Sequence, residues 1–156
     1  MRELLFRGQT RREGEKTMNI KGDPMPSEWA EGGILQGAGC CSIIYGWKGD
    51  NPRTGSDIDR HVVYSDTVGQ YTGQTDMNGK RIFEGDIVKF KNELFVVDYV
   101  TGFASFSLRH PTNMRYAPSI TPITVEEMEV IGNCWDNPEL LGVSEKDKEV
   151  KNNVGL

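Results

Sequence analysis

The sequence predicts an all-β protein. It has a strand-rich N-terminal region, a small SH3-like barrel after it, and at most one or two single helical turns. Three observations predict this. No window of a dozen residues repeats apolar positions at helical spacing. Short apolar runs recur instead, bounded by Gly, Asn, Asp or Pro. The second half then orders its runs as a small barrel does, with tight turns between strands and one helical turn before the last.

Taken in order, the apolar runs place strands at 3–6, 17–20, 29–35, 42–45, 61–64, 87–90, 94–99, 103–108 and 128–131. Residues 46–59 (GWKGDNPRTGSDID) carry Gly, Pro or Asp at every second or third place and read as an exposed loop. Asn78-Gly79 is the favoured pair for a tight hairpin, because both positions tolerate positive φ. Glu84-Gly85-Asp86 makes another turn, Lys91-Asn92 a third and Thr101-Gly102 a fourth. Thr124 with Glu127 three residues on forms a capping box over one helical turn. The expected organisation is therefore 1–78 as the N-terminal β region, 79–142 as the barrel, and 143–156 as a charged tail without apolar periodicity.

Composition narrows the function. The chain has 156 residues and a net charge of −5, which opposes unspecific attraction to nucleic-acid phosphates. Charge is segregated, however: six basic against three acidic residues in 1–21, three against eight in 22–78, six against four in 79–115, and three against eight in 116–156. Cys40, Cys41 and Cys134 do not form a disulfide framework. The apolar trio Leu4-Leu5-Phe6 is too short for a signal core, and no run approaches the roughly 20 residues of a membrane span. These features describe a soluble, reduced, cytoplasmic protein.

Each candidate site is set against a plainer reading. Residues 68–90 (VGQYTGQTDMNGKRIFEGDIVKF) are rich in glycine, but a phosphate loop needs Gly-Lys-Ser/Thr between a strand and a helix. Here Arg81 follows Lys80, and the next residues are strand-like. Asp57, Asp59 and His61 alternate and would share one face of a strand, an O, O, N set suited to a divalent cation. No second cluster adds ligands, so the expectation is no metal and no cofactor. Vicinal cysteines, one distant cysteine and the isolated His110 lack zinc spacing. Cys134 beside Trp135 suits a small core residue better than a nucleophile.

Two binding readings remain. Small barrels hold single-stranded nucleic acid by stacking bases on aromatics beside basic side chains. Tyr71, Lys80, Arg81, Lys89 and Lys91 would supply such a surface, with Arg7, Arg11 and Arg12 as an arm. Self-association is the other reading. The weakly charged run from Ile34-Leu35 through Cys41 to Tyr45 would serve it, and Trp29, Trp47 and Trp135 are of the type found at interface centres.

The motifs GQYTG, NGK, IFEGDIV and EVIGN followed by DNPELL occur here in the order found in the YopX family, proteins encoded by phages and prophages. Phe6-Arg7-Gly8 resembles that family's opening FRG, and Glu28-Trp29-Ala30-Glu31-Gly32 its Glu-Trp-x-x-Gly strand, so the resemblance reaches over roughly 1–142. Two departures stand out: a longer segment between Arg11 and Glu28, and Cys134-Trp135 where an aliphatic and an aromatic residue are usual. The resemblance implies an all-β protein with a C-terminal part similar to SH3-type barrels, and it carries over no catalytic residues. The combined expectation is a phage or prophage accessory protein, cytoplasmic in its bacterial host. It would be a non-catalytic interaction or structural module that forms a homo-oligomer, and its protein partner, of phage or host, is unidentified. Single-stranded nucleic-acid binding is the alternative. The expected binding surface is Gln70, Tyr71, Lys80, Arg81, Glu84 and Asp86.

Overall fold

The computed structural model describes residues 3–11, 29–37, 40–47 and 58–142. The strand expected at 17–20, most of the loop at 46–59 and the tail from 143 lie outside them. The chain divides into two compact units, Met1–Tyr71 and Thr72–Leu156. Each is all-β, and the helical content described is confined to single 3₁₀ turns.

The first unit is built from β1 (Phe6–Gln9), β2 (Trp29–Gly37), β3 (Cys40–Trp47), β4 (Ile58–Val63) and the start of β5 (Gly69–Thr75). Its strands lie in the order β4-β3-β2-β1-β5, every neighbour antiparallel. The two N-terminal motifs are partners: Phe6 stands opposite Gly32, Arg7 opposite Glu31, Gly8 opposite Ala30 and Gln9 opposite Trp29. The continuation of β1 then meets β4. Thr10 bridges Val63, the Arg11 N–H donates to Val62 O at 3.1 Å and the Tyr64 N–H to Gln9 O at 2.9 Å. The four strands thus curl round a core of Ala30, Cys41, Ile43 and Val63, with Phe6 and Val68 packed against it.

This closure needs bare backbone. A Cβ on Gly8 would press on the Val63 side chain, and one on Gly32 would run into the carbonyl oxygen of Ile44. The first strand was expected at 3–6 and is found at Phe6–Gln9. The apolar trio suggested the earlier start, but pairing with β2 sets the register. Leu5 is nonetheless buried, while Leu4 is exposed.

The second unit begins with the rest of β5, which turns back into β6 (Arg81–Phe83). Then come β7 (Asp86–Phe90), β8 (Glu93–Val100), β9 (Ser105–Arg109), β10 (Tyr116–Ser119) and β11 (Met128–Asn133). The last five form one antiparallel sheet in the order β10-β9-β8-β7-β11. Four consecutive strands meander, and the fifth returns beside the first after the 3₁₀ turn Thr124–Glu127. That is the expected strand order of a small SH3-like barrel. Ile82, Val88, Phe90, Phe95, Val97, Phe106, Leu108, Val125, Met128 and Val130 fill it. At about 1.5–3 kcal/mol per fully buried large apolar side chain, this cluster is the main stabilising force of the unit.

The turns differ in how far they follow expectation. Lys91 and Asn92 both take positive φ, +49° and +66°, and join β7 to β8 as a two-residue mirror-image turn. At Asn78-Gly79 only Gly79 does so, at +78°, and the loop is longer and organised by Asp76. The capping box at Thr124 is not formed. The Thr124 hydroxyl accepts the Thr121 N–H at 2.9 Å, so it ties the turn backward instead of capping it forward. Strand β10 was not anticipated, because Pro118 within YAPS reads as a breaker; it is the outermost strand, where proline is tolerated.

Candidate interaction surface

The segment 68–90 builds its geometry around two buried carboxylates. Asp76 is 6 % exposed. Its Oδ1 accepts the N–H groups of Asn78 and Lys80, both at 2.9 Å, and closes the hairpin turn. Its Oδ2 accepts the Val130 N–H at 2.9 Å, which fastens that turn to β11. Asp86 is 1 % exposed, and its Oδ2 accepts the Phe83 N–H at 2.8 Å across the Glu84-Gly85 turn. Charge-assisted bonds to backbone donors are the strong kind, and here they offset the cost of burying the acids.

Gly85 completes the turn. Its φ is +84°, a region that side-chain-bearing residues enter at a cost. Its N–H donates to Val97 O at 2.8 Å and its carbonyl accepts the Cys134 N–H at 3.0 Å. The Trp135 ring lies where a Cβ would stand. Cys134-Trp135 is the segment that covers the Gly85 turn.

The six residues expected to form a surface therefore have different roles. Tyr71 is 8 % exposed and Asp86 is interior, so neither presents its side chain to a ligand. Gln70 is half-buried opposite Phe6 in the first unit. Arg81 and Glu84 are half-buried in the second unit, and Lys80 is exposed on the hairpin. The expected self-association run is also largely consumed by the first unit: Cys41, Ser42 and Ile43 are buried, and Leu35 remains exposed. The basic arm is anchored, with the Arg7 guanidinium 5.0 Å from the centre of the buried Trp29 ring and the Arg11 guanidinium 5.5 Å from that of Tyr64. Arg12 lies outside the described residues.

Of the conjectured cation ligands, Asp57 also lies outside. Asp59 is half-buried, and His61 is 5 % exposed with its ring stacked on Tyr45 at 4.7 Å. Among the described residues no three His, Cys, Asp or Glu side chains converge as metal ligands.

What the second unit does present is a shallow, open depression of about 280 Å³ lined by Met77, Lys89, Lys91, Asn92, Glu127 and Glu129. Lys89 and Glu129 stand directly opposite each other on β7 and β11. Sequence reasoning grouped Lys89 and Lys91 with the basic residues. It missed the neighbouring acids, because only the β7–β11 register brings them together.

A family model described as YopX protein matches residues 42–142, well over half of the chain. The chain belongs to the YopX family. No curated protein matches it. The YopX match takes in the Asp76 hairpin, the Gly85 turn and every strand of the barrel sheet, together with nearly all of β3 and β4. The paired N-terminal motifs on β1 and β2 precede the matched segment.

Proposed function

We propose that this YopX protein is a phage or prophage accessory protein that acts by binding, as a non-catalytic module that associates with itself in the cytoplasm of its host. The observation that carries this is the use made of its carboxylates. Asp76 and Asp86, the buried acids among the described residues of the second unit, are committed to backbone N–H groups. The exposed surface of that unit combines both signs of charge with large apolar side chains, among them Phe103 at 73 % and Ile123 at 81 % exposure. Such surfaces suit protein contacts better than reaction chemistry.

The same geometry counts against the nucleic-acid alternative. Its stacking residue Tyr71 is buried, and Lys89 has Glu129 as its cross-strand neighbour, which lowers the local positive potential. The test is size-exclusion chromatography with light scattering on protein purified at low salt without nuclease, absorbance read at 260 and 280 nm. A defined oligomer with a protein-like absorbance ratio is expected. A peak rich in 260 nm absorbance that clears with salt would establish the alternative.

A further inference from the structure

We infer that the β7–β11 face of the second unit is a self-complementary docking surface, and that its partner is the same face of a second copy of this chain. The inference rests on the self-association proposed above and names the surface responsible. Strand β7 and the turn after it carry Lys89 and Lys91, while β11 and the turn before it carry Glu127 and Glu129. All four are exposed. Register sets Lys89 opposite Glu129 and Phe90 opposite Met128, and Lys91 and Glu127, the residues that adjoin that last pair, line the same depression. A row of two cations thus runs beside a row of two anions, one strand spacing (about 4.8 Å) away.

Within the monomer this charge is not consumed. Among the described residues none of the four side chains is held in an ion pair or a hydrogen bond. Lys91 only extends its ammonium to 5.2 Å from the centre of the Phe90 ring. The face is also concave, with Met77 exposed at 60 % among its lining residues. Methionine is enriched at interfaces.

Symmetry turns this pattern into a prediction of partner. A twofold axis lying in the face, between β7 and β11 and parallel to them, exchanges the two rows without moving them along the strands. Lys89 of one copy then meets Glu129 of the other, Lys91 meets Glu127, and each contact occurs twice. An isologous contact of this kind closes at two copies. A nucleic acid would meet the glutamates, and an acidic or a basic peptide would satisfy only one row.

Charge reversal tests it, read by analytical ultracentrifugation. K89E/K91E and E127K/E129K should each lose self-association, the dissociation constant rising roughly a hundredfold or more through like-charge contact. Their equimolar mixture should recover a heterodimer. The fourfold variant K89E/K91E/E127K/E129K keeps opposite charges across the strands. It should self-associate and should not mix with wild type, a result that misfolding could not imitate. If either double variant associates as wild type does, or if their mixture stays monomeric, the docking surface is wrong while self-association stands. A wild-type chain that is monomeric throughout overturns both.

Discussion

The two units hold their sheets by opposite means. The first relies on side chains that are absent: its closure at Gly8 and Gly32 depends on backbone against which nothing larger than hydrogen fits. The second relies on side chains that are present and charged, Asp76 and Asp86, each bonded to backbone N–H groups. A steric lock tolerates no added atom, and a polar lock tolerates no lost acceptor. The difference tells where each unit is vulnerable and by what class of substitution.

The harshest way to break the comparison is Gly32→Val. Its Cβ meets the Ile44 carbonyl, which is backbone and cannot rotate aside, so a loss of about 3 kcal/mol or more is expected. Hydrogen exchange over residues 3–11 and 29–47 would read it, and retained protection there would refute the steric account. Gly85→Ala comes next. It combines a disfavoured φ with displacement of the Trp135 ring, at about 2–4 kcal/mol together, measured as a shift in the urea midpoint.

Asp76→Ala strands three N–H donors and should cost about 2–3 kcal/mol. Asp76→Asn keeps one acceptor oxygen and should cost less, which separates the acceptor role from side-chain volume. Asp86→Asn keeps one acceptor oxygen for the Phe83 N–H but removes the charge behind it, and should cost about 1 kcal/mol in the same titration. At the small end, Lys80→Ala leaves its backbone N–H on Asp76 and should not move the midpoint.

Much of the barrel was legible because local chemistry and global fold agree there. Val88 and Phe90 alternate into the core around the exposed Lys89, and Lys91-Asn92 carries its own turn preference. The role of Asp76 was hidden because one of its partners, Val130, is 54 residues away. Burial of Tyr71 was equally hidden, since period-two alternation does not say which face of a strand turns inward. The motifs on β1 and β2 were visible as strings, but their mutual pairing is a fact of three dimensions. The candidate surface followed the same rule: an exposed Lys80 could be read directly, whereas the lysine and glutamate rows exist only in the register of β7 against β11.

The outermost strand of the barrel has a last consequence. β10 is four residues long, includes Pro118 and shifts register against β9. A strand that lacks an amide donor and bends away from its neighbour is a poor template for another chain. Strand-by-strand growth into a fibre is therefore discouraged at that margin, and the protein can reach high concentration without polymerising along it.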